Sequence, residues 1–138
     1  GVQYNNIGSF LLTSKKYSDA VPYFTMAITL YPKFSSARHN RGTALYAQKR
    51  TDEAERDLRA SLELDPSRPS SHNTLADIYF DKKSYDLAVA HYTKSIRLDP
   101  TFYVPYHNIG LIMKLQGRED MAEKWLAKSR EIRARFPR

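Results

Sequence analysis

Apolar and small residues fall three and four apart along this chain, in short blocks separated by polar stretches. Tyr4, Ile7, Gly8 and Leu11 form the first block, and Leu75, Ala76 and Tyr79 mark one face of a later one. That spacing places each set on one side of an α-helix. The pattern predicts a helix from Val2 to Ser14 and a second from about Ser18 and Asp19 to Leu30. The acidic, cap-forming start of the second suits a helix dipole. Pro22 falls early enough in it to be tolerated, and Leu30-Tyr31-Pro32 closes it. A second pair is predicted over Ala37 to Lys49 and Asp52 to Leu64. Near the end, Pro105 sits in the first turn of a helix and Gly117 in a turn. The last helix starts at Glu119 and Asp120 and runs on toward Arg135, since Ala134 stands where proline would stop it.

The blocks recur at a fixed step of 34 residues. That step joins Pro32, Pro66 and Pro100; Ala20, Ala54, Ala88 and Ala122; and Gly8, Gly42, Ala76 and Gly110. Four units, 1–34, 35–68, 69–102 and 103–136, account for all but the last two residues. Position twenty-four reads Phe24, Leu58, Tyr92, Leu126, and position thirty reads Leu30, Leu64, Leu98, Ile132. The period and these residue types resemble the tetratricopeptide repeat family, whose pattern is an aromatic, Leu-Gly, Tyr, Ala, Phe and Pro. The resemblance implies an all-α, right-handed superhelical solenoid of four helix-turn-helix repeats, eight helices in one domain over residues 1–138. In each unit a first helix, A, would pair with a second, B, and each unit would bury its apolar face on its neighbours. Gly8 lies mid-helix, where glycine costs about 1 kcal/mol against alanine, and close helix approach is the expected compensation. Unit two departs from the family at Arg38 and Arg41, which stand where an aromatic and a leucine are usual. Both are expected to lay their stems on the packed surface with their heads in water.

Composition narrows the chemistry. There are no cysteines, so disulfides and thiolate metal sites are excluded. No charge-free run reaches the ~18 apolar residues of a membrane span, so no membrane partner is expected. Apart from Gly1, the glycines sit at position eight or in the Gly117 turn, and none builds a phosphate-cradling loop. His39, His72, His91 and His107 have no ligand spacing within a helix. The reading is therefore of a protein that is not an enzyme, with no cofactor, no metal and no catalytic residues.

The asparagines point to binding. Asn5, Asn6, Asn40, Asn73 and Asn108 are all the asparagines present, and each lies at position five or six of a unit. In the arrays that this chain resembles, those positions face a concave groove. An amide both donates and accepts, so a row of them can bond the backbone of an extended peptide whatever its side chains. Position six reads Asn6, Asn40, Thr74, Asn108, a ladder broken once, with Asn73 beside the gap. Carrying over the family's groove positions adds His39, Tyr46, Asp77, Phe80 and His107 as lining. The whole lining carries one lysine, Lys114, against Asp77 and Asp81, on a chain of net charge +7. Much of the positive charge therefore falls on B helices, at Arg56, Arg59, Lys94, Arg97, Lys124 and Lys128. Relatives that clamp acidic chaperone tails need a set of basic and amide residues whose places here read Asn5, Ser9, Asn40, Ser70 and Thr74. One of the five matches, so that subclass is rejected.

The expected function is a non-enzymatic protein-interaction module holding a peptide segment in its groove. The first alternative is a self-association or spacer module of a larger protein. The second is a nucleic-acid contact through the basic convex face, which the net charge alone does not favour. The chain starts in repeat register, which reads as a domain of a longer protein. Position twenty-eight, expected to face a following unit, reads Ile28, Leu62, Ile96 and then Arg130. Position ten, expected to face a preceding unit, begins with the large apolar Phe10. A homo-oligomer or a further contact at the N-terminal end near Phe10 is expected on that ground. Localisation is not legible.

Overall fold

Eight α-helices and no strand make up the chain in the computed structural model, which describes every residue from Gly1 to Arg138. The A helices are α1 (Val2–Thr13), α3 (Ser35–Ala47), α5 (Pro69–Asp81) and α7 (Tyr103–Leu115). The B helices are α2 (Tyr17–Leu30), α4 (Thr51–Leu64), α6 (Tyr85–Leu98) and α8 (Glu119–Arg135). One pair falls in each 34-residue repeat. The helices group into two compact units, Gly1–Ser67 with α1 to α4 and Arg68–Arg138 with α5 to α8. Pro22 is accommodated inside α2, and α8 is longer than the other B helices, as the missing proline predicts.

Within each pair the helices meet over small residues. Ala20, Ala54, Ala88 and Ala122 are buried, as are Ala27, Ser61, Ser95 and Ser129 at position twenty-seven. A Cβ placed on Gly8 would lie 2.6 Å from the Phe24 ring, and one on Gly110 would lie 2.8 Å from Leu126. Position eight is therefore where helix A presses on helix B. In the first unit α2 also packs on α3, with Ala20, Phe24 and Ala44 in one cluster and Ala27, Ile28 and Ala37 in another. Leu11 closes over the first cluster and Tyr4 over the second. Ile7, expected on the packed side, is 43% exposed, and Phe10 is 71% exposed.

The A-to-B turns share one geometry. Lys15, Lys49, Lys83 and Gly117 each adopt a left-handed backbone, with φ of 60°, 62°, 61° and 74°. Around Lys15 the amide of Lys16 donates to the Leu11 carbonyl and that of Lys15 to Leu12, the two bonds of a Schellman motif. The same pair of bonds recurs at Arg50 and Lys49, at Ser84 and Lys83, and at Arg118 and Gly117. This turn also corrects the expected caps. No side chain caps a B helix, because the residue before it is already held by the turn. The acidic residues of the first turns, Asp19 and Asp52 among them, suit the helix dipole, and Glu53 also pairs with Arg50 at 2.7 Å. Before α5 and α7 the links are Asx turns: Asp65 accepts from the Ser67 amide and hydroxyl, and Asp99 from those of Thr101.

The arginines of the second repeat are not snorkelling. Arg41 makes a two-pronged pair with Asp57, Nε to Oδ2 and Nη2 to Oδ1, both at 2.7 Å. Asp57 is 5% exposed. Arg38 donates from Nε to the Pro32 carbonyl at 3.1 Å, as the Tyr106 hydroxyl does to Pro100 at 3.0 Å. Both heads find protein acceptors, because the sites that a leucine and an aromatic would fill have acceptors within reach.

Two predictions follow from the turns and the pair. A non-glycine residue in the left-handed region is strained by about 1 kcal/mol, so Lys49→Gly should raise the melting temperature even though glycine loosens the unfolded chain. A lower melting temperature on calorimetry would contradict the turn's strain. Asp57→Ala strands a half-buried guanidinium and should cost about 1–3 kcal/mol in urea unfolding. Arg41→Ile with Asp57→Tyr, which copies Ile7 and Tyr23 of the first repeat, should recover most of that loss.

Candidate functional site

The predicted residues all lie on the A helices, with Asn5 and Asn73 buried and Asn6 and His107 exposed, and each compact unit holds part of them. In the first unit Asn40, half-buried on α3, donates both amide hydrogens back to α1. One goes to Asn5 Oδ1 at 3.1 Å and the other to Ser9 Oγ at 3.3 Å. Asn5 is 9% exposed, so its carbonyl serves the neighbouring repeat. Asn6 is exposed one position on, and His39 and Tyr46 are half-buried. The Thr43 hydroxyl returns to the His39 carbonyl at 3.0 Å, a local bond within the helix. The structure thus joins Asn5 and Asn40 directly and leaves Asn6 apart.

In the second unit the equivalent bond runs from Asn108 Nδ2 to Asp77 Oδ1 at 3.3 Å. Tyr92 on α6 also donates its hydroxyl to Asp77 Oδ1 in a short hydrogen bond. Burial outweighs that donor and pushes the Asp77 carboxyl up to about 6, with a smaller contribution from Asp81. Asn73 is 8% exposed and its Oδ1 has no partner. Thr74, in the ladder's gap, donates to the Ser70 carbonyl at 3.0 Å. Phe80 packs edge-on against Tyr85 with 5.9 Å between ring centres. His107 is exposed and lines, with Val104, Leu111 and Lys114, a cleft of about 500 Å³ closed on its other side by α8.

Sequence reasoning missed two partners here. Tyr92 was legible as a packing residue at position twenty-four, and its hydroxyl on Asp77 was not. His72 and His91, which share no helix, meet Nδ1 to Nδ1 at 3.2 Å, and His91 also stacks on Tyr79. No three histidine, aspartate or glutamate side chains converge. No helix is long and apolar enough to cross a membrane.

Helix pairs with this residue pattern are what the family models describe. Models of the tetratricopeptide repeat match residues 4–34, 39–101 and 91–124. The chain belongs to the tetratricopeptide repeat family. Hsp70-Hsp90 organizing protein 2 of Arabidopsis thaliana is 31% identical over 93 residues, 67% of this chain and 16% of the relative. Anaphase-promoting complex subunit 6 of the same plant is 25% identical over 123 residues, 89% of this chain and 23% of that protein. The chain thus spans a minor part of these tetratricopeptide relatives. A crystal structure of MamA superposes with a TM-score of 0.87 at 22% identity, covering 96% of this chain and 77% of that one. At that identity the likeness shows the fold, an all-α repeat array.

The raised Asp77 has a definite pH consequence. Its folded value, about 6, lies above the ordinary 3.8, so the native state holds the proton more tightly than the unfolded chain. Stability from this group is full below about pH 4, falls as pH rises through about 6, and is flat above. Asp77→Asn should therefore stabilise the protein at pH 7.5 by on the order of 2 kcal/mol, and the gain should vanish at pH 4. Urea unfolding of both proteins at the two pH values checks this, and an equal difference at both would contradict it.

Proposed function

We propose that this chain is a non-enzymatic docking module for a protein segment, held in extended form along the exposed faces of the A helices. The observation that carries this reading is the Asn40 amide. Its nitrogen is fixed by Asn5 and Ser9, which turns its remaining carbonyl oxygen into a preset acceptor for a backbone N–H. The exposed Asn6 offers a second amide one repeat away in the same compact unit. The relatives named above are organizing and complex-forming proteins by name, which supports a partner of the protein class. Their own partners are not transferred, because the acidic-tail clamp finds Asn5, Ser9, Asn40, Ser70 and Thr74 at its places.

Panning a random-peptide display library against the folded chain, then titrating the selected peptides by calorimetry, tests the reading. Asn40→Ala with Asn108→Ala should weaken the selected peptides by about 1 kcal/mol or more. Because Asn40 and Asn108 also bond within the fold, that variant should lose some stability as well. Asn6→Ala, which removes an exposed side chain with no hydrogen bond in the fold, should weaken binding at unchanged melting temperature. Peptides that bind all three proteins equally would refute the docking face.

A further inference from the structure

The second repeat carries arginine at both position four and position seven, where the others have Tyr4 and Ile7, His72 and Leu75, and Tyr106 and Ile109. Beside them a cleft of about 500 Å³ opens between α2 and α4, floored by α3. Four guanidinium groups line it, those of Arg38, Arg41, Arg50 and Arg56, against the carboxylates of Glu53 and Asp57. Four positive groups against two negative ones leave a local charge of +2. The cleft lies on the B-helix side, away from Asn5 and Asn40.

The four arginines differ in what they have left to give. Arg41 is locked by Asp57 through Nε and Nη2, and its Nη1 reaches the Thr25 hydroxyl at 3.3 Å. Arg50 is paired with Glu53 at 2.7 Å at the rim. Arg38 uses Nε on the Pro32 carbonyl, which leaves both terminal nitrogens uncommitted. Arg56 is exposed and makes no hydrogen bond to the protein. Two forks thus face one recess whose walls include the apolar side chains of Val21 and Leu45.

We propose that this cleft is a second binding site, for a phosphate monoester carried on a peptide side chain, with Arg38 and Arg56 supplying the forked contacts. A phosphate monoester carries about −1.5 to −2 at neutral pH, which matches the local charge, and arginine forks fit its oxygens two at a time. The apolar wall suits a ring or methylene stem beneath the phosphate. A nucleic-acid backbone fits less well, because it needs a continuous basic track and would meet Glu53 and Asp57 in the wall.

Calorimetric titration at 0.1 M salt tests the site with four probes. They are a short acetylated, amidated peptide with a central phosphotyrosine, its unphosphorylated twin, inorganic phosphate, and an oligothymidylate. The phosphopeptide should bind at least tenfold tighter than its twin and than inorganic phosphate. Arg38→Tyr with Arg56→Gln should weaken it at least tenfold. The tyrosine keeps the fold, since the Tyr106 hydroxyl already makes the equivalent bond to Pro100. Lys94→Gln with Lys124→Gln removes the same charge from other B helices and should leave affinity within twofold. An equal loss in both double variants would reduce the effect to diffuse charge and overturn the site. Equal binding of free phosphate, or displacement of the phosphopeptide by a lower concentration of oligothymidylate, would overturn the peptide assignment. No measurable binding of the phosphopeptide would overturn the proposal outright.

Discussion

The close approach of helix A to helix B within each repeat is the constraint on which the rest depends. It is made by residues too small to hold the helices apart: glycine or alanine at position eight, alanine at position twenty, and alanine or serine at position twenty-seven. Helical glycine costs about 1 kcal/mol against alanine, so Gly8, Gly42 and Gly110 weaken the very helices that they let pack. The offset is contact. With Phe24 lying over Gly8 and Leu58 over Gly42, a large apolar side chain is buried against backbone. The left-handed turn then follows from geometry. Bringing two antiparallel helices this close with a short link requires the chain to reverse at once, and three lysines bear the strain where one glycine does not.

The amides and the carboxyl that the A helices carry beside their packing residues are more tied down than a free binding surface would be. Asn40 and Asn108 each reach back to the preceding repeat in their unit, one to Asn5 and Ser9, the other to Asp77. These bonds set the orientation of each amide before any partner arrives. They also mean that binding and stability share residues. Asp77 shows the strain of that sharing: a carboxyl with two donors is still held about two pH units above its ordinary range because water is kept from it.

The fold was legible because every position is written four times. A single Gly8 or Ala20 says little, but four residues in step at one position average out local accidents, and the helix ends fall within a few residues of expectation. What failed to read were features that depend on a contact rather than a position. Lys15, Lys49 and Lys83 look like ordinary exposed lysines, and their strained backbone showed only through Gly117 at the same register. The sequence expected Asn40 in a groove but not its two bonds, since they depend on how far one A helix is rotated from the last. The pairing of His72 with His91 joins positions four and twenty-three, which no periodicity links.

The arginines of the second repeat separate two meanings of a broken pattern. Read as a departure in a packing position, Arg41 should weaken the repeat, and a buried ion pair seldom stabilises more than the apolar pair it replaces. The structure nonetheless spends a buried carboxylate, Asp57, on holding Arg41 still, and does so beside a recess lined by three further arginines. Packing alone gives no reason for this. Isoleucine or leucine serves position seven in the other three repeats, with Leu75 and Ile109 buried. A fixed guanidinium under two uncommitted ones is instead an arrangement that becomes favourable when an anion enters. Its cost to stability is then the counterpart of the affinity that the proposed site would confer, while position seven serves packing in the third and fourth repeats.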